Sequence, residues 1–171
     1  MAANNYETLK KATREMTQKD IVTKFGDGPF KLNIGCGSDI MPGYINIDVL
    51  DSADLQLDLE VGKLPFPKGS VENIKAAHIM EHLWSFPKLM NECHRILKPN
   101  GILKIFVPCY PAPEAFQDPT HVRFFTAQTL EYFHSGSFLF KAVGESYGYN
   151  GWNRLQQQHV NGWELHATLS K

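Results

Sequence analysis

The chain has 171 residues, 43% of them apolar and 20% charged, with a formal net charge of −1. That length and balance suit one globular domain, residues 1–171, with a proper hydrophobic core. They leave no basic footprint for duplex nucleic acid or an anionic membrane surface, and no segment has the ~20 apolar residues a bilayer crossing requires.

Taken in order, the N-terminus MAANNYETLKK lacks the charged-then-apolar layout of a secretory signal. The three cysteines, Cys36, Cys93 and Cys109, form no CxxC pair, so reduced thiols in a cytoplasmic compartment are the expectation. Tyr6, Leu9, Ala12 and Met16 recur at helical spacing and Ile21, Val22 and Phe25 continue the packing, so residues 1–25 read as an N-terminal helical segment. Gly26-Asp27-Gly28-Pro29 breaks the pattern, and the stretch KLNIGCGSDIMPGYINIDV follows from Lys31 to Val49. A strand that stops at closely spaced glycines, Gly35 and Gly37, lets backbone N–H groups approach a ligand with no Cβ in the way. Cys36 fits between them as a small residue rather than a nucleophile. A carboxylate ending the next parallel strand, Asp48, can accept both hydroxyls of a ribose. Together these residues outline a site for a nucleotide-containing cofactor.

Only seven residues separate Gly37 from Ile45, whereas a parallel crossover takes ~10–12 with its helix. The helix expected there shrinks to about a turn, and the N-terminal helix is expected to cover the sheet it leaves exposed. Leu55 to Leu59 alternates as a third strand ending near Asp58, and Asn73 to Ala77 forms a fourth. The clearest helix comes next, capped by Ser85, with Pro87 in its first turn and Phe86, Leu89, Met90, Cys93, Ile96 and Leu97 on one stripe. His94 falls on its polar side and is expected to be solvated. Ile102 to Val107 is apolar on both sides of Lys104 and reads as a central strand. Residues 108–125 contain four prolines and form a candidate lid loop. A helix is expected from Thr126 to Phe133, then strands at Phe138–Tyr147 and Trp163–Leu169. The rhythm is an α/β sheet, mostly parallel, closed by an antiparallel β-hairpin.

A nicotinamide site needs G-x-G-x-x-G opening a helix, with an acid ~20 residues on. Here Ile40 stands where the third glycine belongs, Asp48 follows Gly35 by 13 residues, and no full helix fits. A P-loop's Gly-Lys-Ser/Thr ending is also absent. The blocks LNIGCG, INID, LDL before LPFP, HIMEHL and RILKPNGILKIFVP, over residues 31–107, resemble the class I S-adenosylmethionine-dependent methyltransferases in order and spacing. Within that family they look most like the small single-domain branch with an LPF…EHL…LKPxG pattern. The resemblance implies a Rossmann-like fold and S-adenosylmethionine as cofactor. It places Gly35, Cys36 and Gly37 at the methionyl part, Asp48 and Val49 at the ribose, and Asp58 with Leu59 around the adenine. His78 would line the methionyl side. The chain departs from the pattern at Asp39, where many members carry glycine, in the missing first helix, and at Asn100.

Methyl transfer from a sulfonium is an in-line displacement, so the protein chiefly aligns the acceptor, with a base needed only if the acceptor must lose a proton. The candidates lie in Asp118-Pro119-Thr120-His121-Val122-Arg123. His121 could act as base with Asp118 orienting it, and Arg123 could bind an anionic substrate group. Local packing and surface pairing are the plain alternatives for all three. His78, Glu81 and His82 spell H-x-x-E-H, a zinc-peptidase pattern, but no long helix carries both histidines and the methyltransferase block accounts for them. No metal is expected, and His134, His159 and His166 show no ligand spacing. His82 and Trp84 are candidates to line the substrate cleft. The expected function is methyl transfer to a small-molecule acceptor, such as a sugar or metabolite oxygen. A non-catalytic cofactor- or partner-binding module is the alternative, and a zinc peptidase a remote one.

Overall fold

The computed structural model describes residues 2–171, with side chains described from Glu7 onward, so Tyr6 of the expected stripe lies outside the described side chains. The first helix, α1 (Ala2–Glu15), is followed at once by α2 (Gln18–Phe25). The break is set by a capping box: the Thr17 hydroxyl accepts from the Asp20 N–H while the Asp20 carboxylate accepts from the Thr17 N–H. Strands β1 (Phe30–Ile34), β2 (Ile45–Asp48), β3 (Leu55–Gln56), β4 (Val71–Ala77), β5 (Leu97–Pro108), β6 (Arg154–Val160) and β7 (Glu164–Ser170) form one sheet in the order β3-β2-β1-β4-β5-β7-β6. β1 to β5 pair in parallel, and β7 runs antiparallel between β5 and β6, which is the closing hairpin expected.

The core lies on one face of that sheet. Leu32, Ile34, Ile47, Ile74, Ala76, Leu103, Ile105, Val107, Leu165 and Leu169 point into it and are wholly buried. α3 (Phe86–Ile96) packs on them through Phe86, Leu89, Met90, Cys93 and Ile96, the stripe legible at 3.6-residue spacing. Each such side chain contributes roughly 1.5–3 kcal/mol by leaving water. Ser85 sits at the N-cap, but its hydroxyl donates to the Leu59 carbonyl instead of capping the helix. The exposed N–H groups of Trp84 and Ser85 are met by the Glu60 carboxylate at 2.7 and 2.8 Å. At the other end Arg95 and Glu92 bind the Leu64 and Phe66 backbone, fastening the LPFP loop to the helix.

The opposite face is open at β5 to β7. Lys104 and Phe106 with Gln156, Gln158, His166 and Thr168 line a shallow 340 Å³ hollow there. β5 is therefore central in the pairing order but buried on one face only, contrary to its apolar reading. α1, expected to cover the sheet beside the shortened crossover between β1 and β2, packs chiefly on the 3₁₀ turn Leu59–Val61 instead, where the Thr13 hydroxyl accepts from the Asp58 N–H at 3.0 Å. The missing crossover helix is replaced by side-chain amides. Asn33, 2% exposed, donates to the Asp39 carbonyl and to Asn46 Oδ1. Asn46 in turn accepts from the Met41 N–H and donates to the Met41 and Tyr44 carbonyls and to Asp54. A loop that forms only isolated turns thus gains side-chain partners for the backbone groups of Asp39, Met41 and Tyr44.

The third strand, β3, stops after two residues at Gln56, short of the expected Leu59. The C-terminal third differs most from expectation. Thr126–Phe133 contains only the 3₁₀ turn Leu130–Phe133, and the segment expected as a strand at Phe138–Tyr147 is helical, with a π turn at Phe140–Gly144. The missing strand is β6, Arg-Leu-Gln-Gln-Gln-His-Val, at the sheet edge. An edge strand over an open face has no need of the apolar alternation by which strands are recognised.

Candidate functional site

The parallel strands β1, β2 and β4 all end on one side of the sheet, where the chain reverses between β1 and β4. Ligands bind in open α/β sheets at such a switch point. A 230 Å³ groove lies there, lined by Gly35, Asp48, Val49, Leu57, Asp58, Leu59, Glu60, Ile79, His82 and Leu83. Gly35 has φ +64°, and a Cβ on it would sit 2.4 Å from Ile79 Cγ1, so only glycine fits. The Asp48 carboxylate accepts from the Gly37 N–H at 2.8 Å and the Leu50 N–H at 3.2 Å, one bond per oxygen, leaving a lone pair on each for a hydroxyl. Asp58 is 4% exposed; its Oδ1 accepts from the Glu60 N–H, while its Oδ2 is buried with no hydrogen-bond partner. Cys36 is buried beneath the glycine turn, and burial followed by the nearby Asp48 charge pushes its thiol up, away from thiolate chemistry.

A second cavity of 330 Å³ adjoins the first through His82. His78, Glu81, Pro108, Glu114, Gln117, Asp118, His121 and Trp163 line the rest of it. The loop 108–125 forms its wall and is tied down at both ends: the Val122 and Arg123 N–H groups both donate to the carbonyl of Glu81 in the turn after β4, and the Cys109 N–H donates to the Trp163 carbonyl just before β7. His121 is nearly buried and directs Nδ1 at the Ala115 carbonyl, 3.1 Å away. A carbonyl can only accept, which assigns the proton to Nδ1 and leaves a lone pair on Nε2. Asp118 Oδ2 stands 4.0 Å from that Nε2, beyond hydrogen-bond reach, while its Oδ1 accepts from the Thr120 hydroxyl and N–H, which hold its carboxyl below the usual range. Ala115, rather than Asp118, therefore orients the His121 ring.

His78 has φ +52° at the end of β4 and faces this second cavity, stacked on Trp163, rather than the glycine groove. Its Nδ1 is 3.4 Å from Glu81 Oε1 and its Nε2 2.9 Å from Glu164; Glu81 first, then Glu164, hold its imidazolium above the usual range. Trp84 is 67% exposed on the far side of Asp58, with Lys10, Arg14 and Glu60 around a third hollow. Arg123 donates to the Leu83 and Trp84 carbonyls and borders an aromatic pocket with Phe86, Phe124, Tyr132 and Tyr149. The structure thus brings Gly35, Asp48, Val49, Asp58 and Leu59 together and, separately, His78, His82, Asp118 and His121. Trp84 and Arg123 stand apart from both groups.

Glu164 and Trp163 were not singled out from the sequence. A signal existed: β7 is antiparallel, so its first residues lie beside the C-terminal ends of the parallel strands, where sites form.

Residues 36–105 match the family described as methyltransferase domain. A probable S-adenosylmethionine-dependent methyltransferase of Mycolicibacterium smegmatis is 30% identical over 74 residues, covering 41% of this chain and 29% of that protein. The fold agrees over the whole chain: a SAM-dependent methyltransferase from Archaeoglobus fulgidus superposes with a TM-score of 0.62 at 14% identity, covering 97% of this chain and 99% of that one. The chain has the class I methyltransferase fold. The chain spans less than a third of the length of the curated relatives it matches. Two further structures share the methyltransferase fold. A Burkholderia thailandensis 1,6-didemethyltoxoflavin-N1-methyltransferase, solved with S-adenosylhomocysteine, has a TM-score of 0.55 at 15% identity and covers 99% of this chain and 82% of that one. The (4+2)-cyclase SpnF has a TM-score of 0.55 at 16% identity, covering 96% and 80%.

The methyltransferase cofactor, S-adenosylmethionine, suits the first groove. The unpartnered Asp58 Oδ2 lacks a donor and an adenine amino group is one; the free lone pairs of Asp48 lack hydroxyls and a ribose has two. Gly35, Gly37, Asp48 and Asp58 would hold it, and it would supply an electrophilic methyl group. No helix long and apolar enough to cross a membrane occurs among the described residues.

Proposed function

We propose that the domain transfers the methyl group of S-adenosylmethionine to a small-molecule acceptor seated in the cavity of His78, His82, His121 and Trp163. One observation carries this reading: His82 lines both the glycine groove and that cavity, so cofactor and acceptor would meet at its side chain. The groove supplies alignment, and alignment of two reactants is worth up to ~7–11 kcal/mol in well-oriented systems. The loop 108–125 walls the meeting point on one side, and His121 Nε2 would present a lone pair to an acceptor's proton. The acceptor class favoured is a hydroxylated metabolite or sugar, because the cavity walls are chiefly imidazole and carboxylate, with the Trp163 ring as one apolar face. Net charge of −1 and the absence of a basic stripe favour a small molecule over a nucleic acid.

A second reading, cofactor binding without methyl transfer, is supported by the cyclase that shares the fold, since one scaffold hosts unrelated chemistry. Calorimetry with S-adenosylhomocysteine, followed by turnover of S-adenosylmethionine against a panel of hydroxylated metabolites, separates the two. Micromolar binding with turnover is expected. Binding without turnover on any acceptor class would favour the second reading, and absence of binding would remove both.

A further inference from the structure

We propose that Glu81, His82 and His121 bind a divalent transition-metal ion of the zinc class inside the acceptor cavity. One donor atom from each residue lies within 4.8 Å of the others. Glu81 is 1% exposed, yet neither carboxylate oxygen has a hydrogen-bond partner among the described residues; its one ion pair, to His78 Nδ1, is long at 3.4 Å and engages Oε1, leaving Oε2 bare. A carboxylate withdrawn from water without hydrogen bonds is among the costliest arrangements a fold can keep, and a bound cation removes that cost.

The two imidazoles are prepared in the way metal ligands are. The single Thr120 hydroxyl proton goes to Asp118 at 2.6 Å, so Thr120 Oγ1 accepts from His82 Nδ1 at 3.0 Å. Ala115 fixes His121 Nδ1 likewise. Each ring therefore donates one N–H to an outer acceptor and keeps Nε2 as a bare lone pair, the arrangement by which proteins orient ligating histidines. Two neutral imidazoles and one carboxylate suit zinc, iron(II) or cobalt(II) and not magnesium or calcium, which demand oxygen. Bonds of ~2.1 Å in a tetrahedron put donors about 3.4 Å apart, so the three side chains draw inward by roughly an ångström on binding.

The ligand set is not the H-x-x-E-H pair read along the sequence. His78 is turned to Glu164 at 2.9 Å, and its place is taken by His121 from the loop 43 residues on. The open coordination positions face the cavity that adjoins the cofactor groove, where a hydroxyl oxygen of the acceptor would bind and become more acidic. That role rests on the methyltransferase reading, and it gives the His121 lone pair to the metal rather than to the acceptor's proton. The binding itself does not rest on it.

The test is metal uptake by the whole chain after chelation and dialysis, titrating zinc by calorimetry and cobalt(II) by its visible absorption. One equivalent is expected, with the cobalt spectrum of a four- or five-coordinate site. Glu81→Gln and His121→Ala are each expected to weaken uptake by roughly tenfold or more, while His134→Ala leaves it unchanged. S-Adenosylhomocysteine binding, measured on every variant, shows that each is folded. Failure of the native chain to take up one equivalent would overturn the proposal, as would uptake indifferent to Glu81→Gln and His121→Ala in variants that still bind the cofactor product. If the native chain binds metal but not S-adenosylhomocysteine, the metal site stands and the methyltransferase reading falls.

Discussion

The two cavities that share His82 are built in opposite ways. The glycine groove is made by backbone: strand ends, a positive-φ turn and two carboxylates whose remaining lone pairs face inward. The second cavity is made by side chains: three histidines, three carboxylates and a tryptophan, contributed by the turn after β4, the turn before β7 and the loop that follows β5. A groove of backbone tolerates few substitutions and binds one shape. A cavity of titratable side chains can be retuned one residue at a time.

Substitutions in the two cavities should separate accordingly. The largest effect is expected from Gly35→Val, because its Cβ would collide with Ile79 in a backbone conformation valine rarely adopts; a loss of about 3 kcal/mol or more in urea unfolding is expected, partly recovered by Ile79→Ala. Asp48→Ala should weaken S-adenosylhomocysteine binding by ~1–3 kcal/mol in calorimetry while leaving the fold intact. Unchanged affinity would remove Asp48 from the groove's working parts. Asp58→Asn should cost about 1 kcal/mol of affinity, since an amide has one acceptor for two tasks, capping the Leu59–Val61 turn and receiving the adenine amine. In the other cavity, His121→Ala should leave that affinity near native and lower turnover; loss of cofactor binding would merge the two cavities into one.

The smallest effect lies outside both and supplies a background for pH work. His94, expected to be solvated, is half-buried edge-on to Trp152, and burial followed by the Lys171 charge holds its imidazolium below the usual range. The unfolded chain then takes up that proton first as pH falls. Stability from this group is complete above about pH 6.5, declines below it, and levels off under the folded value. His94→Phe should flatten that slope in urea midpoints measured between about pH 7 and pH 5.

The fold was legible where burial on both sides or tight geometry wrote it. LNIGCG and INID place two strands and a glycine turn because a Cβ at Gly35 is impossible and Ile34 and Ile47 are fully buried. The stripe of α3 was equally plain. The sequence was opaque where structure depends on polar groups meeting across distance. Asn33 and Asn46 look like irregularities inside apolar strands, yet they hold the loop that stands in for a helix. Arg154–Val160 carries too little apolar content to announce a strand, and Phe138–Tyr147 carries aromatic residues enough to imitate one. His121 was visible as a titratable residue in a loop; that its Nδ1 proton would go to Ala115 and not to Asp118 depends on how residues 113–121 turn.

The uncovered face of the sheet has a consequence for how its amides trade with solvent deuterium. Water reaches the side chains of Lys104, Phe106 and Thr168, but the N–H groups of β5 and β7 are bonded to strands on both sides. Their exchange is governed by the opening of the ladder and not by the depth of atoms above it, so these strands should exchange slowly while wet. β6 and β3, each with one neighbour, should exchange fast. A protection map would therefore rise toward the middle of the sheet and take no notice of which face is bare.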